Sequence, residues 1–156
     1  MNGRPRRSLA DLSIRPAEPT DIDALLAIEE VFPTDRLERR SFRHAIRSPT
    51  MICLVAAGEK ALGYVIVERR RNSAAARLTS IAVAPEAAGE GVGAGLLTAA
   101  EAATLASGAT RVRLEVRADN APARKLYEGA GYRLIETLDD YYEDGAPAVR
   151  YEKALP

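Results

Sequence analysis

The chain has 156 residues, enough for one domain with a full core, and its 22 Lys plus Arg balance 22 Asp plus Glu. That balance argues against a surface built for nucleic acid or an anionic membrane. A single cysteine, Cys53, rules out an intrachain disulfide, and one histidine without a cysteine cluster argues against a bound metal.

Residues 1–10 (MNGRPRRSLA) read as a disordered basic tail, and residues 11–156 as a single domain. No secretory apolar segment follows the tail and no run reaches membrane-spanning length, so a cytoplasmic protein is expected. Leu12–Arg15 suits a first strand. Thr20 is placed to cap a helix in which Ile22, Leu25, Leu26 and Ile28 recur at helical spacing. Phe32-Pro33 interrupts it, and Thr34 is placed to cap a second helix through Leu37, Phe42 and Ile46 that ends near Pro49. His44, on a polar stretch of that helix, reads as solvated or packing rather than as a base. Met51–Ala57 and Ala61–Glu68 form a hairpin turned at Gly58-Glu59-Lys60. Cys53 lies in its apolar run as a small core residue, and Arg69-Arg70-Arg71 forms a solvated hairpin end.

Leu78–Val83 is the next strand, broken at Pro85. Gly89, Gly91, Gly93 and Gly95 then alternate into a helix that runs to about Ser107 and is closed by Gly108. Bare backbone N–H groups and a helix N-terminus together make an anion site, and the natural anion is a phosphate or pyrophosphate of a cofactor. Gly89, Gly91 and Ala94 satisfy the dinucleotide pattern GxGxxA, with Glu115 at the distance of a ribose-binding acid. Pro85 and several small residues part that loop from its strand, however, and too little chain follows for two mononucleotide halves. No Gly-Lys-Ser/Thr follows the glycines, which excludes a Walker loop. A plain connector would need no such run, since each glycine raises the entropy lost on ordering.

Arg111–Val116 alternates, with Val112, Leu114 and Val116 on one face and Arg111, Arg113, Glu115 and Arg117 on the other. Asn120 caps a short helix with Pro122 in its first turn and Gly131 past its end. Tyr132–Glu136 and Ala148–Lys153 are final strands around the loop Asp139–Pro147. Strands joined first by a hairpin and later through helices indicate an α/β (α+β) fold, a mixed sheet with helices on both faces.

From Leu78 onward the pieces LTSIAVAPE, AGEGVGAGLL, LEVRADNAPARKLYEGAGY and the tail with Tyr141-Tyr142 and YEKALP occur in a recognisable order and spacing. They resemble the GNAT superfamily of acyl-CoA-dependent N-acetyltransferases, and within it the RimI-type ribosomal-protein alanine N-acetyltransferases. The first half, with FPTDRLERRSF, fits the family layout more loosely. The resemblance implies a mostly antiparallel sheet of six to seven strands, splayed between the fourth and fifth. It implies acetyl-CoA as cosubstrate, its pantetheine against the backbone of Ile81, Ala82 and Val83. The pyrophosphate would lie on the N–H groups of Gly89, Glu90, Gly91, Val92, Gly93 and Ala94, with Asn120 and Tyr127 also beside the cofactor. One departure is visible: Ala88 stands where the family carries Arg or Gln, and Glu90 where a basic residue is common.

The resemblance also gives Glu115 as the base that deprotonates the acceptor ammonium and Tyr127 as the acid toward the CoA thiolate. A carboxylate of reference pKa about 4 needs desolvation or a water relay for that task, whereas a phenol near 10 suits the acid role. Each has a plainer reading: Glu115, which shares a strand face with Arg113 and Arg117, as a solvated cross-strand ion pair, and Tyr127 as core or helix-edge packing. Tyr141 and Tyr142 stand where substrate contacts are expected, or else pack along a sheet edge. The acceptor implied is a primary amine, first a protein or peptide N-terminal α-amine. A small-molecule amine, a lysine side chain, or a non-catalytic acyl-CoA-binding or protein-interaction module are the alternatives. Monomer and homodimer both remain open.

Overall fold

The computed structural model describes residues 12–156, so the tail expected over residues 1–10 lies outside the described residues. Seven strands form one sheet: β1 (Ser13–Pro16), β2 (Met51–Ala57), β3 (Ala61–Glu68), β4 (Ala75–Val83), β5 (Arg111–Arg117), β6 (Arg133–Leu138) and β7 (Ala148–Ala154). Their order is β1-β2-β3-β4-β5-β7-β6, with every neighbouring pair antiparallel except β4–β5. The helices are α1 (Ile22–Glu29), α2 (Arg39–Arg47), α3 (Val92–Ala106) and α4 (Ala121–Gly129). None of them is long and apolar enough to cross a membrane.

β2 and β3 are nearly continuous apolar runs because both faces of the sheet are covered there. Two adjacent residues of β3 show it. Gly63 meets α3 so closely that a Cβ would stand 3.0 Å from Leu96 Cδ1 and 3.3 Å from Val92 Cγ1. Tyr64 points the other way, edge-on to Phe42 of α2 with ring centroids 5.1 Å apart. α1 and α2 therefore lie on one face and α3 on the other.

The parallel pairing of β4 with β5 joins only Ala75–Arg77 to Arg111–Arg113, and beyond it the two strands part. This is the splay expected between the fourth and fifth strands. β4 starts three residues earlier than expected, and those three residues are the ones that hold β5. Ala75 and Ala76 have little strand preference of their own, so tertiary pairing alone makes them strand. Register with β3 passes from Ile66↔Ser80 to Val67↔Leu78, leaving Thr79 unpaired as a bulge beside the gap.

Two expected helix caps are wrong. Thr20 sits inside a short 3₁₀ turn, Pro19–Asp21, and it is Asp21 that accepts the Glu18 N–H at 2.7 Å and pairs with Arg15. The Thr34 hydroxyl turns to Asp35, and α2 begins only at Arg39. The delay has a cause: the buried Glu29 carboxylate accepts the Leu37 N–H at 2.8 Å, which holds the segment before α2 out of the helix. The Asn120 cap is present, its Oδ1 accepting from the Ala123 N–H at 3.2 Å. In β5, Val112, Leu114 and Val116 are buried, as the alternation predicts.

Candidate active site

The parting of β4 and β5 opens a cleft of about 840 Å³. One wall is β4 from Leu78 to Val83, whose edge beyond Arg77 has no sheet neighbour and can pair with an extended ligand as an added strand would. Ile81, Ala82 and Val83 all line it. The floor is the start of α3. Gly89 and Gly91 take left-handed backbone with φ of 79° and 80°, which bends the loop so that the helix begins at the cleft. Among the described residues no side chain caps that end, and the first helical bond runs from the Gly95 N–H to the Gly91 carbonyl. The N–H groups of Val92, Gly93 and Ala94, all lining the cleft, thus lie in the unpaired first turn of the helix. A Cβ at Gly93 would touch Leu126 and Val83, both on the cleft wall, so this glycine keeps the passage open.

Glu90 is not on the cleft wall, and its Oε2 is buried with no partner among the described residues. The floor of the cleft at this loop is therefore lined by backbone rather than by the Glu90 carboxylate, with Gly89 and Ala88 exposed at its rim. Asn120 caps α4 and lines the cleft as well.

Tyr127 lines the cleft with its ring buried against Tyr132 and Tyr151, at centroid distances of 5.8 and 6.2 Å. Burial first, and the neighbouring Tyr142 second, push its phenol well above the ordinary range and keep it protonated. Glu115 is also on the wall, 7% exposed, but it is not solitary. Its Oε1 accepts from Arg77 Nε at 2.8 Å and its Oε2 from Arg150 Nε at 3.0 Å. Glu115 does form cross-strand ion pairs, but with its carboxylate buried rather than in the solvated pair expected. Arg113 pairs instead with Glu152 and Arg117 with Asp144, because strand register sets Arg150 opposite Glu115.

Tyr142 lines the cleft and carries the Arg117 guanidinium over its ring at 4.5 Å. Tyr141 lies outside the cleft, 3.5 Å from Glu115 Oε1 and 3.3 Å from Arg77 Nη2. Phe32, Pro33, Thr34 and Asp35, from the segment between α1 and α2, also line the cleft. Glu29 secures that segment: Oε1 holds Leu37, and Oε2 accepts from the Tyr64 hydroxyl at 2.9 Å, which in turn meets Ser80 Oγ at 2.7 Å on the cleft wall. Sequence reasoning missed this chain, whose members are scattered over three elements. His44 and Cys53 lie away from the cleft, and burial raises the Cys53 thiol to about 12. Among the described residues no group of His, Cys, Asp and Glu could hold a metal ion.

A model of the acetyltransferase (GNAT) domain matches residues 14–155. The chain belongs to the GNAT acetyltransferase family. This acetyltransferase is 30% identical over 145 residues to an uncharacterised N-acetyltransferase of Methanocaldococcus jannaschii, covering 92% of each chain. Its fold superposes on the ribosomal-protein-S18-alanine N-acetyltransferase of Escherichia coli with a TM-score of 0.81 at 26% identity, over 92% of this chain and 94% of that one. Arabidopsis thaliana NAA60, solved in complex with acetyl-CoA, shares the fold at a TM-score of 0.79 and 18% identity, over 92% of this chain and 98% of the other. The resemblance read from Leu78 onward is thus borne out at the level of family and fold.

Proposed function

We propose that this GNAT acetyltransferase binds acetyl-CoA in the β4–β5 gap and moves its acetyl group to a primary amine, first a peptide or protein N-terminal α-amine. The observation that carries the reading is the gap itself, an unpaired strand edge leading to an uncapped helix N-terminus floored by glycine. A pantetheine arm suits the first and a pyrophosphate the second. The Escherichia coli enzyme named for the S18 alanine supports an α-amine acceptor. A lysine side chain or a small amine is the second choice of acceptor, because the rim at Phe32–Asp35 belongs to the half of the chain that resembles the RimI type only loosely.

The amine nitrogen attacks the thioester carbonyl carbon, the C–S bond breaks, the departing sulfur takes a proton from Tyr127, and the proton the nitrogen sheds on becoming an amide returns through water to the phenolate. The ammonium must first lose a proton. Both oxygens of Glu115 are engaged by guanidinium groups, so it takes that proton through water. Thiol release from acetyl-CoA, followed with a panel of N-terminal peptides, lysine and simple amines, tests the assignment. Release with peptides whose N-terminus is free, and none once it is blocked, is the expected result. Release only with lysine or simple amines overturns the α-amine reading.

A further inference from the structure

Beside the cleft lies a second cavity of about 330 Å³, lined by Arg70, Arg77, Arg113 and Arg150 with Tyr141, and with Glu115 as its single carboxylate. Glu115 lines the cleft too, so one side chain forms the wall between them. Other carboxylates reach these arginines from the side: Glu68 on Arg70, Glu152 on Arg113, Glu136 on Arg150. They leave donors over. Among the described residues neither Nη of Arg70 or Arg113 has an acceptor, nor has Nη1 of Arg77 or Nη2 of Arg150. The free Nη pairs of Arg70 and Arg113, with the single free Nη of Arg77 and of Arg150, offer planar N–H donors that match the geometry of a second carboxylate.

Strand parity says which substrate meets this cavity. Residues paired in register share a face, and side chains alternate along β3. Gly63, facing α3, pairs with Val83, whereas Glu68 pairs with Arg77. Glu68 lies five positions along β3 from Gly63, an odd step, so Arg77 points to the face opposite α3. The glycine cradle and the arginine cavity thus lie on opposite sides of the sheet, joined through the gap. A ligand with its phosphates in the cradle leaves the arginine side to the acceptor. Arg77 stands two residues along β4 from Thr79 at the gap, about 7 Å at a strand's rise per residue. That is within reach of the first or second side chain of a peptide whose amine lies in the gap.

We propose that this cavity is a carboxylate subsite for the acceptor, a proposal that rests on the acetyl-transfer reading of the gap. It takes an acidic side chain at the first or second position of an N-terminal peptide, or the α-carboxylate of a free amino acid. Arg77 and Arg113 are its specificity-determining residues, their guanidiniums held by Glu115 and Glu152 respectively.

Direct titration tests it in the protein as it stands. C-terminally amidated peptides with Asp or Glu at position one or two, their Asn and Gln counterparts, and free aspartate and glutamate are titrated calorimetrically, with and without CoA. Acetyl-CoA is titrated separately. Acidic peptides should bind about tenfold more tightly than the amides, the margin one charge-assisted hydrogen bond supplies. The margin should narrow at high salt and collapse in Arg77→Gln and in Arg113→Gln. Arg113 is half-exposed, so its variant keeps the test intact if Arg77→Gln fails to fold. Preference for free amino acids over the amidated acidic peptides supports the subsite and assigns it to the α-carboxylate. Equal binding of acid and amide, or a preference surviving both substitutions, overturns the subsite. A carboxylate preference in a protein that does not bind acetyl-CoA overturns acetyl transfer instead.

Discussion

Tyr127 and Glu115 share the cleft wall, yet their surroundings differ. Tyr127 is anchored by its ring, and its hydroxyl has no hydrogen-bond partner among the described residues and is not sealed from solvent. Tyr127→Phe should therefore leave the melting temperature nearly unchanged while lowering kcat at least tenfold, of the order an acid catalyst contributes. Unchanged turnover across pH would remove the phenol from the chemistry. Glu115→Gln differs, because the carboxylate also neutralises Arg77 and Arg150. It should lower kcat and stability together, and a variant that loses only stability would make Glu115 purely structural. The pairing of Arg15 with Asp21 gives a pH prediction. Its hydrogen bonds hold the Asp21 carboxyl below the usual carboxylate range. The contribution is thus complete above the unfolded value of about 4 and is lost as pH falls through the lower folded value. In Asp21→Asn the melting temperature should be lower at neutral pH and fall less steeply in acid; identical acid limbs would refute the linkage. Glu115 and Tyr127 were legible from the motifs around them. The partners of Glu115 were not, because Arg77 and Arg150 lie 38 and 35 residues away and only strand register unites them.

Among the elements, the segment between α1 and α2 shows why local signals mislead. Thr34 is a good cap by type, but the Glu29 carboxylate already holds Leu37, and the helix waits until Arg39. Removing that carboxylate in Glu29→Ala leaves the Leu37 N–H without its acceptor and deprives Tyr64 of one partner. A loss of about 3 kcal/mol by urea denaturation is expected, as is a raised acceptor KM at little change in acetyl-CoA affinity. Stability equal to the parent protein would show that the strut is idle. The glycine loop, by contrast, was legible because positive φ has few residue solutions. β4 was half legible: apolar Leu78–Val83 announced itself, whereas Ala75-Ala76-Arg77 became strand only by docking on β5.

Across the whole molecule, apolar runs foretold β2 and β3 and alternation foretold β5, since both signals are local. The place of β7 between β5 and β6 is a matter of pairing and left no local trace. The proposed chemistry rests on one discontinuity, the sheet opening between β4 and β5, the only parallel neighbours among the described residues. There a strand edge and a helix N-terminus meet, on the way from a glycine cradle to an arginine-rich face.

The most direct test is calorimetric titration with acetyl-CoA of the parent protein and of Gly93→Asp. At Gly93 a Cβ makes only ordinary contacts, at 3.6 Å to Leu126 and 3.8 Å to Val83. An acidic residue in the first turn of α3 also favours the helix, so the variant should fold and melt no lower than the parent. Its carboxylate would lie in the cradle and repel a pyrophosphate. Saturable binding to the parent that is lost in a folded Gly93→Asp protein is the predicted result. No binding to the folded parent, or equal binding to both, would contradict the assignment of the gap to acetyl-CoA.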